Sequence, residues 1–370
     1  MRLLLIEPAF KRVHDLGHWP LADATQLPAP SAGSFYWLSC ERSELEAQLP
    51  QLQPLLTQLC GTPLVDLHVS DLLNAQIPST FDYTSDYDVL VFRRLDSAPD
   101  GAVKTTLKAV ETVPVAYAVF DALLLSVHPA QCPIRAQSLQ RLLAPNAAPE
   151  KRAIMGRWPA SSADLMLRQV NQMVDGYLAL RRDMAKHIDG WQMQLLNPKS
   201  RFTDWGQVLQ ARLGLHQLDE ICEDQRSAIQ DWIDALQSWQ DEHSSKAEHH
   251  ALELLRVRSR DVLEHIERVI HHVHRMEQSA EAAVQMHFSA QSNRANDIMR
   301  TLTTLTAIFL PLNLIAAVFG MNFDVLPLVH KEDGFWWAMA AMGLIGVVLL
   351  VFFWRRRYIE KDSLLGKDDQ

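Results

Sequence analysis

Asn296, Thr306 and Asn313 are polar residues in and just before a charge-free apolar run at residues 302–319. Advancing about 100° per residue along a helix puts them on one face. That face carries Ser292, Asn296, Met299, Leu302, Thr303, Thr306, Leu310, Asn313, Ala317 and Gly320. The opposite face carries Ile308, Ile315 and other plain hydrophobes. An asparagine amide in mid-membrane is costly unless it meets a polar partner or water. A polar contact with another helix would satisfy Asn313 alone. The stripe as a whole favours a water-filled path. Met299, Leu302 and Leu310 would then form apolar constrictions, which can gate by dewetting. Pro311 removes one backbone hydrogen bond and frees a carbonyl near the narrow part. A second group able to do chemistry is Glu267, His271 and His274, at i, i+4 and i+7. Imidazole at that spacing can hold Zn2+, Ni2+ or Co2+, and the same residues also suit a solvated helix surface.

The stripe needs a membrane helix to carry it. A bilayer core about 30 Å thick takes roughly 20 apolar residues at about 1.5 Å rise each. Residues 302–319 and 335–353 are near that length and neither run contains a charge. Gly320-Met321-Asn322 marks the turn where the first span leaves the bilayer. The second span, with Trp336, Trp337, Met339, Met342, Leu344 and Leu349, has no polar stripe and suits a lipid-facing helix. Gly343 and Gly346 allow close packing, while Trp336, Trp337 and Trp354 suit the two interfaces. Two helices cannot enclose a pore, so a water path requires an oligomer, with first spans inside and second spans outside. Arg294 and Arg300 precede the first span, and Arg355, Arg356 and Arg357 follow the second. The loop between them holds Lys331 against Asp324, Glu332 and Asp333. The positive-inside rule then puts both termini in the cytoplasm and the loop outside. The expected location is the cell inner (plasma) membrane, as a multi-pass protein.

A chain of 370 residues has room for two or three domains. Its formal net charge of -9 argues against a general nucleic-acid binder. Cys40, Cys60, Cys132 and Cys222 are scattered without a CxxC, which suits a reducing compartment for residues 1–300. Residues 3–6 are too short a run for a secretory leader before Glu7 and read as a first strand. Further strands are expected at 35–38, 64–67, 89–92, 115–120 and 123–127. Helices are expected at 43–59 and 138–143. The first opens with Ser43 and Glu46 at capping-box spacing, and Pro50 and Pro54 should divide it in two. This is a mixed α/β pattern. From Ser162 the spacing turns helical, through Leu165, Val170, Met173, Tyr177, Leu180, Met184 and Ile188. More helices follow at 207–239 and from about Lys246. No strong stop signal separates Ala247 from Phe319, so one helix of about 70 residues, on the order of 100 Å, could form both stalk and span. The soluble part holds no Walker loop, GxSxG, HExxH or paired-carboxylate motif, which leaves little support for a membrane-anchored enzyme or sensor.

Three blocks carry a family resemblance: Asn296-Asp297-Ile298-Met299-Arg300-Thr301-Leu302-Thr303, Ile308-Phe309-Leu310-Pro311-Leu312, and Phe319-Gly320-Met321-Asn322-Phe323. In order, at this spacing and on a predicted span, they are similar to the CorA family of divalent-cation channels, of the two-transmembrane Gly-x-Asn superfamily. Weaker likeness extends to residues 68–95 and to Val174-Asp175-Gly176-Tyr177. The resemblance implies a funnel-shaped homopentamer. It implies an α/β cytosolic domain at 1–155 and a helical stalk domain at 156–300. A pore-lining span at 301–321, an outer loop at 322–334, a second span at 335–354 and a basic tail at 355–370 would follow. Gly320, Met321 and Asn322 would form the selectivity ring for hydrated Mg2+, with Co2+ and Ni2+ as further cargo and no organic cofactor. Mg2+ holds its waters tightly, and neutral amide and carbonyl dipoles can bind the hydrated ion without stripping it. Asn296, Met299, Leu302, Thr306, Leu310, Asn313 and Ala317 would line the pore. A divalent ion gains about 4.6 kcal/mol per 100 mV across the whole field.

Two departures from the family pattern stand out. The loop reads Phe323-Asp324-Val325-Leu326-Pro327-Leu328 in place of the Met-Pro-Glu-Leu of many magnesium members. The family's regulatory stalk carboxylate corresponds to the uncharged Gln285, with Glu281 one turn earlier as a substitute and Asp86 and Asp88 as its partners. Zinc-transporting relatives usually differ at the middle of the tripeptide, so Met321 favours magnesium and cobalt. The histidine cluster keeps a Zn2+ transporter, proton-coupled or not, as the alternative.

Overall fold

The computed structural model describes residues 1–20, 27, 30–31, 33–96, 110–143, 158–196, 205–238, 246–321 and 333–355. Chain contacts divide it into two compact units, Met1–Ala282 and Ala283–Gln370.

The first unit is built on one sheet. Its strands are β1 (Arg2–Glu7), β2 (Arg12–His18), β3 (Phe35–Glu41), β4 (Thr80–Tyr83), β5 (Asp88–Leu95), β6 (Thr112–Val119) and β7 (Leu123–His128). Their order is β2-β1-β3-β7-β6-β5-β4. The β3–β7 pair is parallel, and the other pairs are antiparallel. Helices α1 (Arg42–Cys60) and α2 (Asp66–Leu73) cover one face, packing Leu45, Leu52, Leu56 and Leu72 on Leu38, Val91, Leu125 and Val127. Helix α3 (Pro133–Leu143) and the start of α4 (Ser162–Leu196) cover the other, over Trp37, Phe92, Tyr117 and Leu124. With both faces buried, the inner strands are apolar throughout rather than alternating.

Three expectations need correction here. Residues 64–67 are not a strand. Leu64 is buried, but Val65 and Leu67 are exposed, and helix α2 starts at Asp66 so that Val69 and Leu72 reach the core. Pro50 and Pro54 do not split α1, which runs unbroken from Arg42 to Cys60. Both prolines are exposed and four residues apart, so the carbonyls they leave unbonded fall on the solvent side, where water can take them. The helix also starts before Ser43. The Glu41 N–H donates to Glu44 Oε2 at 2.8 Å, giving the reciprocal arm of the cap two residues early. Strands β2 and β4, unforeseen, lie at the two sheet edges and are largely exposed, so apolar content does not mark them.

Helices α4, α5 (Trp205–Ser238) and the first part of α6 (Lys246–Phe319) form a bundle whose core is continuous with the sheet. Met184, Ile188 and Trp191 meet Leu218, Ile229 and Trp232, together with Val262, Ile266, Val269 and Val273. Trp232 Nε1 donates to Ser259 Oγ at 2.9 Å and its ring stands edge-on to Phe81 of β4, 5.7 Å away. Buried Asp164 accepts from the Ala160 N–H at 2.8 Å, pairs with Arg168 Nε at 3.3 Å and contacts Arg258 Nη1, which clasps α4 to α6.

Helix α6 runs 74 residues as one element and passes from the first unit into the second. In the second unit it is joined by α7 (Gly334–Arg355). Both helices are long and apolar enough to cross a membrane.

Candidate ion-conduction site

Within the second unit α6 has two unlike sides. Thr304, Ile308, Pro311, Ile315 and Phe319 recur every three or four residues and are shielded. On α7, Ala338, Met342, Ile345, Gly346, Leu349 and Phe353 form the matching half-buried face. A Cβ at Gly346 would lie 4.0 Å from Leu312 Cδ1, so this glycine sits on the packed side, whereas Gly343 has open space around it. Pro311 lies on the packed side and the helix continues through it to Phe319.

The other side of α6 faces outward. Asn296, Met299, Leu302, Thr303, Thr306, Leu310, Asn313, Ala317 and Gly320 are all exposed there. Met299 is 60%, Leu302 56% and Leu310 68% exposed, too much for residues inside a helix pair. Thr306, Leu310 and Asn313 share a shallow recess of about 230 Å3 with Leu305 and Phe309. A larger groove of about 690 Å3 lies at the start of the span, lined by Asn293, Asn296, Asp297, Met299, Arg300, Thr303, Thr304 and Phe353. The threonine hydroxyls bond back to their own helix: Thr303 Oγ1 donates to Met299 O at 2.7 Å and Thr306 Oγ1 to Leu302 O at 2.8 Å. Their protons are thereby used, and the oxygen lone pairs remain to face whatever covers the stripe. Such acceptors suit the water protons of a hydrated cation.

The helix closes at Gly320, whose N–H donates to Ala316 O at 2.9 Å, followed by Met321 N–H to Val318 O at 3.3 Å. A Cβ on Gly320 would stand 3.2 Å from the Ala316 oxygen, so a side chain there is crowded by its own backbone. Asn322, Asp324, Lys331, Glu332, Arg356 and Arg357 lie outside the described residues.

The regulatory candidates are apart in kind. Glu281 and Gln285 are exposed, and the Gln285 carbonyl accepts from Ser289 Oγ at 2.9 Å. Asp86 is exposed in the turn before β5, where Ser85 Oγ donates to its Oδ2 at 3.2 Å. Asp88 is 2% exposed, and its Oδ1 is buried without a hydrogen bond. Burial, with the nearby Asp121 carboxylate adding to it, pushes the Asp88 carboxyl up to about 7. Sequence reading missed Asp121. The clue was the tight Phe120-Asp121-Ala122 turn beside Val119, which pairs with Asp88 across the sheet. His274 Nε2 is 3.0 Å from Asp219 Oδ1 of α5, and Arg275 Nη2, a donor, lies 2.8 and 3.0 Å from the His272 ring nitrogens Nδ1 and Nε2. Among the described residues no three His, Cys, Asp or Glu side chains converge to hold a metal.

Residues 32–357 match the family described as CorA-like Mg2+ transporter protein. Among curated relatives, the cobalt/magnesium transport protein CorA of Thermotoga maritima is 31% identical over 100 residues, 27% of this chain and 28% of that protein. The protein of the same name from Methanocaldococcus jannaschii is 40% identical over 68 residues, 18% of this chain and 21% of that protein. The chain thus matches 28% and 21% of the length of those two relatives. The complete structure of the CorA magnesium transporter from Methanocaldococcus jannaschii superposes with a TM-score of 0.64 at 16% identity, over 97% of this chain and 99% of that one. The full-length CmaX protein gives 0.60 at 18% identity, over 96% and 97%. These likenesses show the fold: a mixed α/β domain, a long helix and two apolar C-terminal helices.

Proposed function

The chain belongs to the CorA-like Mg2+ transporter family, a family of membrane transporters rather than enzymes, and we propose that it forms a channel for hydrated Mg2+, with Co2+ and Ni2+ as further cargo. The observation that carries this reading is the outward polar face of α6, from Asn296 through Thr306 to Asn313, on a helix whose other side is taken up by α7. Several copies, five by the family resemblance, would bring these faces together around one path. Thr306 and Asn313 would be polar stations of neutral oxygen, strong enough to hold a water shell and weak enough to release it. Met299, Leu302 and Leu310 would be apolar rings that close by dewetting. Gly320, Met321 and Asn322 would form the outer ring, where amide and carbonyl dipoles meet the hydrated ion. Both termini would lie in the cytoplasm, so a negative interior would draw the cation inward.

A zinc reading would need a ligand set, and His274 is already engaged with Asp219. The test is flux into liposomes at equal potential, for Mg2+ and Zn2+, with and without a pH gradient. Mg2+ uptake that needs no proton gradient and disappears in Asn322→Ala, with the oligomer intact, is the expected result. Zn2+ uptake that requires the gradient, without Mg2+ uptake, would overturn it.

A further inference from the structure

The helical bundle of the first unit carries two patches in which charges of one sign gather. On α6, Arg268, His272 and Arg275 fall at i, i+4 and i+7, one stripe of the helix. Helix α4 runs beside this stripe, held by Asp164 to Arg258 at one end and by Gln192 Nε2 to Ser279 Oγ, 2.7 Å, at the other. Arg181 and Arg182 lie between those two ties. The groups that act on Arg181 are Arg182, Arg268 and Arg275, and those that act on His272 are Arg181, Arg275, Arg268 and His271. Desolvation first, and then these basic neighbours, hold both groups below their ordinary values. Arg181 Nη1 is buried without a hydrogen bond.

Helix α5 carries the converse. Glu220 and Asp224, at i and i+4, are exposed on one face. Desolvation, Glu220 and Glu223 push the Asp224 carboxyl up, with Arg93 only partly opposing them. Two turns earlier the same face shows Leu209 and Leu213, 60% and 58% exposed. His216 Nε2, 3.6 Å from Glu220 Oε1, and Arg93 offset this acidic charge only in part. Exposed leucines beside surplus acidic charge suit contact with a protein surface better than contact with a small ion.

The heights of the two patches agree. Asp219 meets His274 at 3.0 Å and Trp232 meets Ser259 at 2.9 Å, so α5 and α6 run antiparallel, with residues 219–232 alongside 274–259. Glu220 and Asp224 therefore stand level with Arg268–Arg275. Rotation about an axis along α6 keeps heights fixed, and a head-to-tail contact repeated around such an axis closes a ring. We propose that the Arg268–Arg275 stripe, with Arg181 and Arg182, docks on the Glu220/Asp224 face of α5 in a second copy of this chain. Each contact relieves two patches of like charge at once and fixes which copy sits on which side. The inference rests on the multi-copy assembly of the proposed channel, and its test is separate from ion flux.

Differently tagged copies carrying Glu220→Cys and Arg275→Cys are co-expressed, and the full-length membrane protein is treated with a short bis-maleimide. The parent chain with its four native cysteines serves as control. The expected result is a band joining the two tags, absent from the control and reduced with Glu220→Cys paired against an exposed α4 position such as Met193→Cys. In parallel, Arg268→Glu/Arg275→Glu and Glu220→Arg/Asp224→Arg should each raise dissociation of the detergent-solubilised oligomer roughly tenfold, and the four changes together should restore it. Absence of the cross-link in a protein shown to be oligomeric, or reversed variants that assemble like the wild type, would overturn the proposal. So would saturable pyrophosphate binding lost in Arg268→Glu/Arg275→Glu with assembly unchanged, which would make the stripe an anion site. A cross-linked ring that passes no Mg2+ would instead remove the channel reading and leave this contact standing.

Discussion

The two units treat polar groups in opposite ways. In Met1–Ala282 the buried polar side chains mostly find partners in the same chain: Trp232 with Ser259, Tyr117 with Gln169 at 3.0 Å, and Asp164 with Arg168 and Arg258. In Ala283–Gln370 most described polar residues of α6 point outward, buried His287 and Thr304 apart, and Thr303 and Thr306 turn their hydroxyl protons back to their own helix. The first region specifies itself. The second is finished only by something outside the chain, and the proposed completion is a ring of copies around hydrated cations. Substitutions should therefore separate cleanly: stability effects in the first unit and transport effects in the second.

The largest effect is expected at the α4–α6 clasp. Asp164→Ala leaves Arg258 and Arg168 facing an emptied, buried position and should cost about 3–5 kcal/mol in urea unfolding of the first unit. A loss below about 1 kcal/mol would mean that the clasp contributes little. Next is Asp88. Its raised carboxyl binds a proton better in the folded chain than in the unfolded one. That contribution is fully present below the ordinary carboxylate value and is lost as pH rises through about 7. Thermal melts at pH 5 and pH 8 should show wild type losing stability with rising pH and Asp88→Asn losing less. Parallel pH dependence in the two proteins would contradict the assignment.

The second unit should respond in flux. Asn313→Leu is expected to lower Mg2+ flux at least about tenfold, roughly 1.4 kcal/mol in the barrier, with the oligomer intact. Flux equal to wild type would mean that Asn313 serves helix packing instead. Thr306→Val should have the smallest effect, roughly two- to tenfold in flux, because it removes one neutral acceptor per chain. If it equals Asn313→Leu, the two stations act as one.

How far the sequence reaches differs between the units for the same physical reason. Strands β3, β5, β6 and β7 are covered on both faces and so read as apolar runs, while β2 and β4 lie at edges where little is buried. Residues 64–67 form a short, mostly apolar run that suits a strand, but only Leu64 is buried there and the run leads into helix α2. The outward stripe of α6 was legible because it follows from helical period alone. Charge pairing between α4, α5 and α6 was not, since it depends on the register that Asp219–His274 and Trp232–Ser259 set in three dimensions.

The central claim is that water reaches the outward stripe of α6 when copies assemble. Its most direct test is thiol modification during Mg2+ flux, comparing Asn313→Cys with Ile315→Cys, which lies on the packed side. The four native cysteines all belong to the first unit and provide the background. A membrane-impermeant, cationic methanethiosulfonate reagent should block flux through Asn313→Cys and leave Ile315→Cys unaffected, with protection by high Mg2+. Equal block of both, or of neither while the wild type conducts, would contradict a pore lined by this face.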